Sequence, residues 1–506
     1  MPAYLLGLDV GTTGAKALLC DAHGHVLATT TAEYPLAAPQ PLWSEQNPAD
    51  WWHGACTALR TVVARAGVAP AEIAGLGLTG QMHGSVFLDE HDEVIRPALL
   101  WNDQRTAAEC AEITARVGAD RLIDIAGNPA LTGFQAPKIL WLRNHEPEQY
   151  ARVARVLLPK DYIRRKLTGV SATDAADAAG TLLLDLRRRD WSDDLLAALD
   201  IPRAWLPQVF EGPDVTGGLL PEVADALGLP AGLPVIAGGG DNAAAAIGTG
   251  IVRPGIVSSS IGTSGVIFAH AETIALDPPG RLHTFCHSVP GRYHLMAVTL
   301  AAGGSFRWFR DTVRDPAGRM VSYDDLTAMA AEVPPGAEGL IFLPYLSGER
   351  TPHLDPLARG AFIGLTARHT LAHMARAVME GVVFSLRDGL EIMRGLGLAP
   401  TQIRATGGGG KSRLWRQMQA DIYAAEVATL AAEEGPAYGA ALLAGIGAGV
   451  FHSVDDAVSR CVSVTATTAP DERSIARYDA IYGIYRDMYA ALRDGMHRLA
   501  MASVSA

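Results

Sequence analysis

Apolar and polar positions alternate in blocks from the start of the chain. Residues 4–19, YLLGLDVGTTGAKALL, give an apolar run, a polar turn and a second apolar run, which predicts strand, tight turn, strand. A turn at Asp21-Ala22-His23-Gly24 and the run over 26–31 add a third strand. After a proline-rich connection over 35–48, Pro48-Ala49-Asp50-Trp51-Trp52 opens a helix reaching about residue 66. A buried strand over 73–79 and a short one over 98–101 follow, each ending in a polar cluster: Gln81-Met82-His83 and Asn102-Asp103-Gln104-Arg105. Helices are predicted over 106–117 and 137–144, and the apolar stretch 153–158 leads through Pro159-Lys160-Asp161-Tyr162 into another. The strand over 233–237 breaks at Gly238-Gly239-Gly240-Asp241-Asn242, and a helix starts at Ala243.

The pattern then repeats. Residues 256–268, IVSSSIGTSGVIF, mirror the opening hairpin, with G-T-S-G in place of G-T-T-G and Ser260 in the place of Asp9. Two such turns about 250 residues apart predict a duplicated α/β domain with a cleft between the halves, divided near 249–254 into 1–250 and 251–506. In the second half, Leu371, Met374, Val378, Val382, Leu386, Leu390 and Met393 recur at helical spacing and read as the core stripe of one long helix. A strand over 403–406 runs into Gly407-Gly408-Gly409-Gly410-Lys411-Ser412, followed by helices over 413–424 and from Pro436. The polar amphipathic helix over 475–499 is expected to be peripheral.

Composition narrows the function. Of 506 residues, 49% are hydrophobic and 19% charged, enough for large cores. A formal charge of −12 argues against a nucleic-acid or anionic-membrane partner. The run over 437–450 is too short to span a bilayer, and there is no basic-then-apolar leader. The five scattered cysteines contain no C-x-x-C pair, which fits a reducing compartment, and a cytoplasmic location is expected.

Three clusters carry chemistry. In the first turn, glycines let backbone N–H groups approach a phosphate, Thr12 and Thr13 add donors, and Asp9 can hold a hydrated magnesium ion; a plain hairpin turn is the alternative. Asp241, at a helix start beyond a strand, suits a catalytic base, or else a helix cap. Gln81, Met82, His83, Asn102 and Asp103 suit a small polyhydroxylated ligand, although His83 also reads as a satisfied structural histidine. Ala405 to Ser412, ATGGGGKS, nearly matches a P-loop that would put Lys411 on phosphates; four glycines equally suit flat contact with an adenosine, or a plain helix-entry loop.

With these motifs in order, together with Leu42-Trp43-Ser44-Glu45-Gln46, Leu158-Pro159-Lys160-Asp161-Tyr162 and Phe342 to Pro352, the chain resembles the FGGY carbohydrate kinases from about Tyr4 to Ala444. The segment 133–145 carries Gln135 where that family usually has a small or hydroxyl residue. The resemblance implies an actin-like ATPase fold of two ribonuclease-H-like domains. It implies that Asp241 deprotonates a sugar hydroxyl that attacks the γ-phosphate of ATP. In the branch it resembles most, this is the 5-hydroxyl of D-xylulose; another ketose or pentitol, or a sugar-independent ATP-driven binding protein on the same fold, are the alternatives. By the same likeness Met82, His83, Asp241 and Asn242 hold the sugar, and Asp9 organises magnesium. Thr12, Thr13, Gly262, Thr263 and Ser264 hold phosphates; Gly408, Gly409, Ser412 and Trp308 lie by the adenosine. A homodimer is expected on analogy alone.

Overall fold

The computed structural model describes residues 4–314, 318–432 and 434–504. Its first sheet contains β1 (Tyr4–Val10), β2 (Gly14–Asp21), β3 (Val26–Glu33), β4 (Ile73–Gly80), β5 (Val215–Gly218) and β6 (Pro234–Ile236), in the order β5-β6-β4-β1-β2-β3. The two-residue strand Gly239–Gly240 also pairs with β4. The second sheet contains β7 (Ile256–Ile261), β8 (Gly265–Ala271), β9 (His283–Cys286), β10 (Tyr293–Thr299), β11 (Gln402–Thr406), β12 (Glu426–Leu430) and β13 (Val464–Thr468), in the order β9-β10-β8-β7-β11-β12-β13.

The two sheets share one plan. In each, three antiparallel strands (β3-β2-β1 and β10-β8-β7) are followed by two parallel ones (β4-β6 and β11-β12), and an antiparallel strand closes the edge (β5 and β13). The repeated hairpin motif is therefore the visible part of a repeated topology. The central strand β1 is apolar over Leu5, Leu6 and Leu8, all fully buried, because a strand covered on both faces needs no polar alternation.

The helices that position the site are α1 (Pro48–Ala66), α2 (Gln135–His145), α3 (Pro159–Thr168), α4 (Asp241–Thr249), α5 (Gly303–Thr312), α6 (Leu371–Gly395), α7 (Arg413–Tyr423), α8 (Pro436–Gly447) and α9 (Glu472–Val504). Helix α1 starts where its sequence says: the Asn47 side chain accepts from Ala49 N, Pro48 opens the first turn, and Gly67 closes the helix in the left-handed region.

Helix α8 belongs to the second half in sequence but lies on the first sheet. A Cβ on Gly7 would stand 1.9 Å from the Ala437 carbonyl oxygen, and one on Gly77 1.9 Å from that of Ala440. The same helix presses on α4, where a Cβ on Gly439 would stand 1.7 Å from the Ala244 oxygen. Backbone contact thus locks α4, which begins with Asp241, to the strand that ends beside Asp9.

A buried ion cluster fastens the same region. Lys160 Nζ lies 2.7 Å from Asp161, 2.6 Å from Asp174 and 3.2 Å from Asp177, all without solvent exposure. Beside it, Arg164 donates to the carbonyls of Ile236 (2.6 Å) and Ala237, where β6 runs toward Asp241. The opposite charges offset part of the cost of one another's burial.

The tail departs from its expected peripheral place. Tyr478, Tyr482 and Tyr485 of α9 are buried against α6, with ring centroids 5.3–5.9 Å from Phe384. Each phenol finds a partner: Tyr478 on Glu380, Tyr482 on Asp388, and Tyr485 on Tyr345. Tyrosine gave the helix a polar appearance in sequence while supplying apolar rings to the core. Among the described residues no helix is long and apolar enough to cross a membrane.

Candidate functional site

The first set of candidate residues converges at the carboxyl ends of parallel strands, where open α/β sheets bind ligands. Across three neighbouring strands Asp9 pairs with Thr79 and Thr79 with Gly239; Val10, Gly80 and Gly240 form the next row. Asp241 follows directly. Its helix is capped by the Gly240 backbone, so the carboxylate is not a capping group; it is half-buried, and Oδ1 accepts from the backbone and side-chain nitrogens of Asn242 at 2.6 and 2.9 Å. Burial pushes the Asp241 carboxyl up to about 6 against the pull of those bonds. Asp9 is pushed up to about 7 by burial and by the charge of Asp241, and its Oδ1 is buried without a hydrogen-bond partner. An orphaned carboxylate oxygen fits a hydrated cation carried in on a phosphate. The described residues offer no group of three or more His, Cys, Asp or Glu side chains able to cage a metal.

The Gly11-Thr12-Thr13 turn is braced from below. Thr12 Oγ1 donates to Gln81 Oε1 (3.2 Å) and accepts from Trp101 Nε1 (3.0 Å), while Gln46 Nε2 donates to the Thr12 carbonyl (2.7 Å) and Tyr34 to that of Gly11 (2.6 Å). Gln81 also donates to the Gly11 carbonyl at 3.3 Å and to Gln46 at 3.1 Å. Its amide, expected on the ligand, is engaged in holding the turn. Thr13 stands exposed at the tip.

Met82 and His83 form a wall beside Asp241. Met82 packs so closely that a Cβ on Gly240 would meet its Cγ at 2.6 Å. His83 has φ +69°, a conformation bulky residues adopt only under constraint, and Lys138 of α2 constrains it by donating to its carbonyl at 2.9 Å. The His83 Nδ1 lies 2.6 Å from the Gly180 carbonyl, so Nδ1 carries the proton and Nε2 is an open acceptor. Burial pulls its pKa down to about 3, keeping the ring neutral. Gln135 braces this turn by donating to the Gly84 carbonyl at 3.0 Å.

The neighbouring polar pair separates. Asn102 Oδ1 is buried with no partner, as a ligand-facing acceptor would be. Asp103 departs from its expected ligand role, because both its oxygens are engaged: Ser44 N at 2.7 Å, Arg105 N at 3.0 Å and the Arg105 guanidinium at 2.7 Å. That guanidinium stacks 3.5 Å over the Trp43 ring, so Asp103 anchors scaffold.

In the second sheet the same strand ends hold a different site. The Gly262-Thr263-Ser264 turn is tied to the start of α5, with Gly303 N donating to the Gly262 carbonyl (2.8 Å) and Gly304 N to that of Thr263 (3.0 Å). Beside it, Gly407 to Lys411 form a helical turn after β11, and Gly409 packs so tightly that a Cβ would meet Ile261 Cβ at 2.7 Å. Between them opens a cavity of about 620 Å³, whose lining includes Gly262, Thr263, Gly408, Gly409, Ser412 and, unforeseen, Phe306, Tyr323 and Trp415. The three aromatic residues pack on one another, with Phe306 5.7 Å from Tyr323 and 6.0 Å from Trp415. Trp308 departs from expectation: one position from the cavity face of α5, it stacks on Phe342 outside the cavity. Neither does a P-loop form. Lys411 closes a short helical turn, and Ser412 Oγ accepts from Trp415 N as the cap of α7.

A flat, aromatic-edged cavity beside one turn, and a carboxylate pair with open acceptors beside the other, can align a nucleotide with a hydroxyl acceptor. Family comparison agrees. The N-terminal domain profile of the FGGY family of carbohydrate kinases matches residues 4–248, and the C-terminal domain profile residues 257–448. The chain belongs to the FGGY family of carbohydrate kinases. It is similar to the xylulose kinase of Bacillus subtilis, at 41% identity over 97% of both chains. It is similar also to that of Escherichia coli, at 42% identity over 96% of this chain and 99% of the other. Among solved structures, the xylulose kinase of Rhodospirillum rubrum superposes with a TM-score of 0.91 at 34% identity, covering 98% of this chain and all of that one. Each of the two profiles covers one of the two turns.

Proposed function

We propose that this FGGY kinase transfers the γ-phosphoryl group of ATP to the 5-hydroxyl of D-xylulose, giving xylulose 5-phosphate and ADP. The observation that carries the reading is the convergence of Asp241, Asp9, Met82 and the neutral, acceptor-bearing His83 at one row of strand ends. In this reading residues 1–250 form the sugar-binding domain and 251–506 the adenosine-binding one, and the enzyme works in the cytoplasm, with a homodimer as its assembly.

Asp241 accepts the proton of the attacking hydroxyl; with its pKa near 6 it is mostly ionised at neutral pH yet basic enough to take part. Asn242 orients that carboxylate. Asp9 would hold the hydration shell of a magnesium ion, which supplies charge neutralisation at the phosphates when bound. Phosphates lie on the Gly11–Thr13 and Gly262–Ser264 turns, and the adenosine lies against Gly408 and Gly409 beside Phe306 and Trp415. Such positioning supplies most of the acceleration of phosphoryl transfer. His83 Nε2 and Asn102 Oδ1 accept from sugar hydroxyls.

A coupled ADP-release assay across pentuloses, pentitols and glycerol tests the reading. D-Xylulose is expected to give the highest kcat/KM. A pentitol or glycerol preferred over every pentulose, or ATP turnover indifferent to sugar, contradicts it.

A further inference from the structure

The sugar wall described so far comes from the first half alone. A loop of the second half carries a cation toward the same region. Arg350 is half-buried, and its guanidinium makes no hydrogen bond or ion pair with any described residue, although its backbone N donates to Glu349 Oε1 at 2.7 Å. None of its nitrogens is sealed from solvent, so the fork of five donors is open to a ligand.

The loop that presents it is held on several sides. Glu349 accepts from Thr299 Oγ1 (2.5 Å) and Leu300 N (3.0 Å) at the end of β10, behind the second turn. Thr351 donates through its hydroxyl to the Arg281 carbonyl (2.8 Å) and through its N–H to that of Val298 (3.0 Å). Tyr489 and His497 of α9 both bond Asp355 at 2.7 Å, and Tyr489 stacks 3.5 Å from His353. The integrated tail helix thus braces this loop.

Arg281, held by the loop, lies two residues before His283. The His283 ring is 5.9 Å from Phe134 and 5.5 Å from Phe285, and Phe134 is 4.8 Å from His83. The loop that carries Arg350 and the turn that carries His83 therefore meet at one aromatic cluster, from opposite halves. The positive charge of Arg350 also helps hold the His83 and His283 imidazoles neutral.

We propose that Arg350 contacts the sugar from the second half, donating to the carbonyl and adjacent hydroxyl oxygens at the end remote from the phosphorylated hydroxyl, beside the open acceptor of His83. The proposal rests on the sugar-kinase reading and deepens it. Donor and acceptor would then be shared between the halves, so a ketose completes both and a ligand lacking that end leaves the arginine unpaired.

Steady-state kinetics of Arg350→Gln and Arg350→Lys, with sugar-independent ATP hydrolysis as a reference, test it. Loss of a charge-assisted bond predicts a KM for D-xylulose raised by roughly 10- to 100-fold in Arg350→Gln and by less in Arg350→Lys. The KM for ATP and the sugar-independent hydrolysis should stay within about twofold, since neither uses this contact. An unchanged sugar KM, or equal losses for sugar and ATP, overturns the proposal while leaving the kinase reading intact. A wild-type enzyme inactive on every pentulose removes the reading and this proposal together.

Discussion

The two halves of this kinase share a strand plan and differ in what stands at equivalent strand ends. After its first strand, each half makes a glycine–hydroxyl turn; the first is preceded by Asp9 and the second by Ser260. Cross-strand register differs as well: Val10 pairs with Ala15 across four intervening residues, whereas Ile261 pairs with Gly265 across three. The shorter turn of the second half is buttressed by the N-terminus of α5, the longer turn of the first by side chains of Gln81, Gln46, Trp101 and Tyr34. After the fourth strand of the plan, the first half places Met82 and His83, the second a run of glycines backed by aromatic rings. One topology thus hosts two kinds of site: a carboxylate pair with open acceptors in the first half and a cavity edged by aromatic rings in the second. Function resides in the loops, with the sheets as a common frame.

Three measurements test this difference between the halves. The largest effect belongs to the charge that only the first turn carries: Asp9→Asn should lower kcat by roughly 10²- to 10³-fold while the Kd for ATP without metal stays nearly constant, read by single-turnover kinetics and calorimetry. On the other side, Gly409→Ala should raise the KM for ATP about tenfold with the sugar KM unmoved, because the new methyl meets Ile261 and shifts the loop. Equal effects on both substrates would mean the halves are not divided in this way. The smallest effect is on stability. Because the Asp9 pKa is raised to about 7, the unfolded chain gives up that proton at lower pH than the folded one, and stability falls as pH climbs from the ordinary carboxylate range through 7. Asp9→Asn should therefore raise Tm by a few degrees at pH 8 and by nothing near pH 4, in scanning calorimetry.

Much of this contrast was legible in sequence because its carriers are local. The duplicated hairpin, the break before Asp241 and the helix at Pro436 each rest on neighbouring residues, and the turn after β4 names Met82 and His83 directly. What was not legible depends on distant partners. Gln81 and Asp103 look like ligand groups until Gly11 and Gln46 claim the one and Ser44 and Arg105 the other. Trp308 and Phe306 differ by two positions on one helix, and only tertiary packing decides which ring reaches the cavity. The G-G-S run that opens α5 against the second turn was the available signal for Phe306. The tyrosines of α9 hid a core face behind hydroxyls, and with it the brace on the Arg350 loop.

The central claim, that a first-half carboxylate takes the proton while the second half grips the nucleotide, is tested most directly by Asp241→Asn. D-Xylulose-dependent ADP release and calorimetric ATP binding should be measured in parallel, with the wild-type pH profile alongside. Turnover should fall about 10³-fold in the variant. ATP affinity should be unchanged, and the wild-type rate should decline as pH drops through about 6. Wild-type turnover in the variant, or loss of its ATP binding, would contradict that claim.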